Sequence, residues 1–92
     1  MKHYEPIPHE DSKALVHRLV DKSLEEIIAI LGPPIRVHGP SPRYGSTPEV
    51  IGQYTKTLEF IDVTPFVKTL LVRERDDDGL HEFELRGREI SN

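Results

Sequence analysis

The residues able to do chemistry are scattered along this chain, and none of them falls into a recognisable catalytic motif. Five histidines, His3, His9, His17, His38 and His81, are the first metal candidates. None stands in His-x-x-x-His or His-Glu-x-x-His, the spacings that bring two ligands to one helical face. The run Asp76-Asp77-Asp78-Gly79 invites a calcium loop. If Gly79 took the sixth loop position, ligands would fall at Glu74, Asp76 and Asp78, and Leu85 would stand where a bidentate Glu is needed. The run reads instead as a solvated hairpin tip whose charges discourage edge-to-edge association. There is no cysteine, which excludes a disulfide scaffold, thiolate-ligated zinc and a cysteine nucleophile. No Gly-x-Ser-x-Gly elbow is present, and Gly45-Ser46-Thr47 lacks the upstream Gly and the Lys of a phosphate loop. No catalytic residue, metal or cofactor is expected. An enzyme with a site assembled from distant residues stays open as an alternative.

What remains is a constellation of charge. From Gly32 to Pro48 there is no acidic residue, while Arg36 and Arg43 supply two positive charges and His38 a potential third. The net charge is −4, so the rest of the chain carries −6. Tyr44 adjoins Arg43 in a segment stiffened by Pro40, Pro42 and Pro48, and prolines lower the entropy cost of ordering a loop against a partner. Arg and Tyr are enriched at interface hot spots. Arg36, His38, Arg43 and Tyr44 are therefore the expected partner-binding residues. The expected partner is another protein, with a homo-oligomer as a further option. The bland reading is that the segment only joins helix to sheet and its arginines pair with the chain's own acids. The same four residues suit a small anionic ligand or a single-stranded nucleic acid. A chain of net −4 lacks the footprint of a general nucleic-acid binder. The charges of Arg73-Glu74-Arg75 and of Glu82, Glu84, Arg86, Arg88 and Glu89 read as a solvated sheet face with cross-strand pairs.

Positioning these residues requires a fold. Ninety-two residues fit one small domain, spanning 1–92, with a thin core. Leu, Ile, Val and Phe together number 27, enough to escape the composition of a disordered chain. The polar start Met1-Lys2-His3-Tyr4-Glu5-Pro6 has no apolar signal region, and no stretch is apolar enough for a membrane span. A soluble cytoplasmic chain without membrane contact is expected.

Residues 1–10, with Pro6 and Pro8, read as a loose arm. Asp11 or Ser12 could cap a first helix over about 12–21, with Leu15, Val16, Leu19 and Val20 at helical spacing. Ser23-Leu24-Glu25-Glu26 is a capping box. Leu24, Ile27, Ile28 and Leu31 form one stripe, and Gly32-Pro33-Pro34 stops the helix, so a second helix spans 24–31. Residues 32–48, with five prolines and three glycines, read as a loop holding at most a brief edge strand at Ile35–His38. Alternating segments at 50–62, 66–75 and 80–87 predict a β-meander, with Tyr54, Leu58 and Phe60 on one face of the first strand. Asp77-Asp78-Gly79 suggests a type I′ hairpin turn. The whole predicts an α+β fold, two short N-terminal helices packed on a curled antiparallel sheet of three to four strands.

The segment from Leu19 to Leu31, followed by Gly32-Pro33-Pro34, resembles the helix-and-turn signature of the bacterial small-protein-A/outer-membrane-lipoprotein family, whose fold is shared with the β-lactamase inhibitor protein. Ser23, Glu26, Leu31, Gly32 and Pro34 match that pattern, and Tyr54 and the hairpin over 66–86 fall in fitting places. Asp21-Lys22 replaces the Gly before the cap, and the lipid-bearing cysteine is missing. The resemblance implies two helices on a curled antiparallel sheet, and a role as inhibitor or assembly factor acting by protein–protein contact.

Overall fold

Local capping chemistry sets the bounds of the helices. In the computed structural model, which describes residues 3–90, helix α2 runs from Leu24 to Leu31. The Glu26 amide donates to Ser23 Oγ at 3.1 Å and the Ser23 amide donates to Glu26 Oε1 at 3.0 Å, so the box closes in both directions. These two Ser23 contacts hold the Glu26 carboxyl below its usual range. Gly32 follows at φ +89°, a conformation that disfavours any side chain, and the helix stops.

Helix α1 spans His9–Leu19, beginning and ending earlier than the sequence suggested. Pro8, and neither Asp11 nor Ser12, stands at the cap position. Its carbonyl accepts from the Asp11 and Ser12 amides at 3.0 and 3.2 Å. Pro8 has its φ already fixed and no amide to satisfy, so it starts the helix at little entropic cost. The Ser12 hydroxyl donates back to the His9 carbonyl instead.

The expected loose arm is tied down. Strand β1, His3–Tyr4, pairs antiparallel with the last strand, β7, Glu89–Ile90, and the Glu5 amide extends the ribbon by donating to the Arg88 carbonyl at 2.8 Å. The segment 32–48 is also more regular than its prolines suggest. It holds β2, Arg36–His38, and β3, Ser41–Tyr44. Both pair antiparallel with the same long strand β4, Val50–Ile61, β3 along its first half and β2 along its second. Pro42 fits there because β3 is an edge strand, where a missing amide leaves no ladder bond broken. Strands β5, Thr69–Arg75, and β6, His81–Arg86, complete an antiparallel sheet of five strands, against the three or four expected. The fold is α+β.

Register sorts the two faces. Leu58, Val72 and Phe83 stand side by side across β4, β5 and β6, as do Phe60, Leu70 and Leu85. Leu58, Phe60, Leu70 and Val72 form one core cluster with Leu15 and Leu19 of α1, Ile27 of α2, and Val67. Val67 precedes β5, in a turn where the Thr64 hydroxyl accepts from the Phe66 and Val67 amides at 3.2 and 3.0 Å. That turn puts Val67 inside and leaves Phe66 exposed, the reverse of a strand alternation running from 66. The β5–β6 connection differs too. Of its residues only Gly79 has positive φ, whereas a type I′ turn needs two such residues. Residues 76–79 make a four-residue loop, closed by the Arg75 amide donating to the Leu80 carbonyl at 2.9 Å.

A core of so few side chains has little redundancy. Leu70→Ala, at a site with no exposure, is expected to cost about 2–5 kcal/mol, and Ser23→Ala about 1 kcal/mol through loss of the cap. Urea unfolding of the two variants measures both, and the ordering Leu70→Ala well above Ser23→Ala is the outcome to check.

Candidate functional site

The face of the sheet opposite the apolar rows is polar, and it holds most of the chain's arginines. Across it stand Arg36–Glu59–Leu71–Glu84 in one row and His38–Thr57–Arg73–Glu82 in the next. A register shift between Tyr54 and Lys56 adds one residue to β4. This β-bulge turns Tyr54 onto the polar face, opposite Arg75, whereas plain alternation had placed it with Leu58 and Phe60.

Ion pairs knit this face together. The Tyr54 hydroxyl donates to Glu82 Oε1 at 2.8 Å. Arg73 Nη2 donates to Glu84 Oε1 at 3.2 Å, and Glu84 also meets Arg86. Arg75 Nε lies 3.7 Å from both Glu82 and Asp77, and its Nη2 lies 3.4 Å from Asp78. Removal from water, then the Glu82 contact, pushes the Tyr54 phenol above its usual pKa. Asp77 loses some hydration, but Arg43 and the Asp78 amide outweigh that and hold its carboxyl below the ordinary range.

The four residues singled out by the sequence fall on β2 and β3 but not into one cluster. Arg43 is only 9% exposed. Its Nη2 donates to Asp77 Oδ2 at 3.1 Å, and its Nη1 lies 3.8 Å from Glu82. Its guanidinium lies over Gly52, where an added Cβ would stand 3.3 Å from Nη2. Arg43 therefore pairs with the chain's own acids, as the bland reading of its charge had it. Arg36 is exposed and makes no ion pair among the described residues. His38 is exposed, with Nε2 3.3 Å from Glu59 Oε1. Tyr44 is 59% exposed. The same edge exposes Ile35, Val37, Val50 and Ile51, so with Tyr44 five of the eleven exposed large apolar side chains among the described residues lie between residues 35 and 51.

One further cluster escaped the sequence reading. Glu74 accepts from the Thr55 hydroxyl at 2.9 Å and meets His81 Nε2 at 3.2 Å, with the His81 side chain only 7% exposed. The Thr55 bond, opposed by lost hydration and aided by His81, lowers the Glu74 pKa. The carboxylate stands between hydroxyl and imidazole. A nucleophile relay needs the imidazole on the hydroxyl, so this order positions His81 without activating Thr55. Alternation over 80–87 faced His81 away from Glu82, but its partner on β5 depended on register. Among the described residues no three His, Asp or Glu side chains gather to hold a metal, and no helix is long and apolar enough to cross a membrane.

Two titrations follow. Glu82→Gln is expected to bring the Tyr54 phenol back toward its ordinary pKa, seen by ultraviolet absorbance against Tyr54→Phe; an unchanged titration would remove Glu82 as a cause. Glu74 and Asp77 both have folded pKa values below their unfolded ones, so protons bind the unfolded chain more tightly. Their contribution to stability is present above about pH 4 and is lost as pH falls through the depressed values. Unfolding midpoints measured down the acid limb should fall less steeply in Glu74→Gln than in the wild type. Comparison of the chain with protein-family models, with curated proteins and with solved structures finds no match.

Proposed function

We propose that this protein is a non-enzymatic protein–protein interaction module, an inhibitor, assembly factor or small subunit, and that it binds through the edge made by β2 and β3. The observation that carries the reading is the composition of that edge. Exposed Arg36, His38 and Tyr44 are interleaved with exposed Ile35, Val37, Val50 and Ile51, in a stretch whose segment 32–48 has no acid. The register sets Arg36 and His38 on the polar face beside Glu59 and Thr57, and Val37 on the apolar face beside Leu58, so a partner capping this edge meets cations on one side and apolar side chains on the other. Arg43 takes a different role from the one first expected of it. It holds β3 to the Asp76–Gly79 loop through Asp77, so the edge is presented on a fixed support. Pro42 has no amide to offer an incoming strand, so recognition here runs through side chains and not through strand addition. The helix-and-turn signature over Leu19–Pro34 supports the same class, since the fold group it resembles acts by protein contact.

The test is affinity capture from a lysate of the source organism, followed by reconstitution with the purified partner. Arg36→Ala/Tyr44→Ala is expected to weaken binding by about a hundredfold, two hot-spot losses of at least ~1.4 kcal/mol each. Arg18→Ala on α1 should leave it unchanged. Equal binding by the edge variant and wild type would move the interface elsewhere.

A further inference from the structure

A second basic site lies at the other side of the sheet, where the β1–β7 ribbon meets the start of β5 and the end of β6. A cleft of about 520 Å³ opens there, within the range typical of small-ligand sites. Tyr4, Lys68, Thr69, Arg86, Arg88 and Glu89 line it. Three cations against one carboxylate give the lining +2, in a chain whose net charge is −4.

Each cation is placed differently. Arg88 makes no ion pair among the described residues. Lys68 Nζ contacts Asp62 at 2.8 Å, but both side chains are about half exposed or more, and such a pair contributes little. Lys68 is thus available to a stronger anion. Arg86 is held between Glu84 and the Tyr4 ring, whose centroid lies 5.6 Å from its guanidinium carbon. The wall is fixed as well. Glu5 bonds the Arg88 carbonyl, and its own carbonyl abuts Gly87 so closely that no Cβ would fit there.

We propose that this cleft binds the phosphate group of a small phosphorylated compound. A phosphate monoester brings three strong acceptor oxygens, which suit the Arg88 fork, unpaired among the described residues, together with Lys68, Arg86 and the Thr69 hydroxyl, although Asp62 and Glu84 already stand against two of these cations. A single carboxylate offers one oxygen fewer to the same donors. A nucleic acid would bring many further phosphates against a remainder of the chain carrying −6. A small ligand meets only the cleft.

Inorganic phosphate and glycerol phosphate, titrated separately at constant ionic strength while amide resonances are followed, test the proposal. Expected are saturable shifts at Thr69, Gly87, Arg88 and Glu89 with at least one of the two probes, and tighter binding of glycerol phosphate if the cleft grips more than the phosphate. Arg88→Gln and Lys68→Gln should each weaken binding about tenfold while keeping the wild-type unfolding midpoint, and Arg36→Gln should change nothing. Non-saturating shifts with both probes, shifts spread over the charged face, or unaltered affinity in Arg88→Gln and Lys68→Gln would overturn it. Arg88→Gln and Lys68→Gln leave the β2–β3 edge untouched, so the two readings stand or fall separately.

Discussion

Hydrogen bonding to β4 is the constraint on which the sheet depends. Its twelve residues take β5 along one side and β2 and β3, end to end, along the other. A strand paired on both sides cannot slip by one residue without turning its apolar set from core to solvent. Leu58 and Phe60 fix its position through burial, and their register carries Val72 and Leu70 with it into the same core. The two helices contribute only Leu15, Leu19 and Ile27 to the fully buried cluster. In a chain this short, those contacts cannot be duplicated elsewhere.

The polar face follows from the same register. Because His38, Thr57, Arg73 and Glu82 are neighbours across the sheet, and Glu59 and Glu84 stand in the next row, His38 meets Glu59 and Arg73 meets Glu84 without long loops to bring them together. Most of these pairs are half-exposed, so individually they contribute little to stability. Their collective effect is positional. Long side chains that would otherwise sample many rotamers are held in place across the sheet. Arg43 is the extreme case, a guanidinium buried over a glycine with one carboxylate at hydrogen-bond distance and a second within ion-pair range.

What the sequence made legible was local. The capping box at Ser23–Glu26 and the stop at Gly32 defined α2 to the residue, because both ends are set by chemistry within four positions. The α+β class and the Ile35–His38 edge strand were also legible. Where pairing partners decide, the reading faltered. β3 is a strand because β4 lies beside it, and nothing in Ser41-Pro42-Arg43-Tyr44 announces that. The N-terminal arm is ordered by Glu89 and Ile90, more than eighty residues away. At the proposed edge, Arg36, His38 and Tyr44 were singled out through an absence of acids in their own segment, and all three are exposed. The burial of Arg43 was not, because Asp77 and Glu82 are brought to it by the β5–β6 hairpin.

The bulge at residue 55 also sets where this chain tolerates a change of length. The stretch Val50–Tyr54, with β3 attached along it, owes its facing to a single extra residue. Inserting one further residue there would turn Tyr54 away from Glu82 and carry Arg43 off Asp77, since every side chain upstream would exchange faces, whereas deleting residue 55 would leave Tyr54 opposite Arg75. The loop at 76–79 has no such parity to keep; residues added at its tip change neither strand's register. Insertions and deletions, more than substitutions, are therefore the changes that separate the parts of this protein with a fixed residue count from those without one.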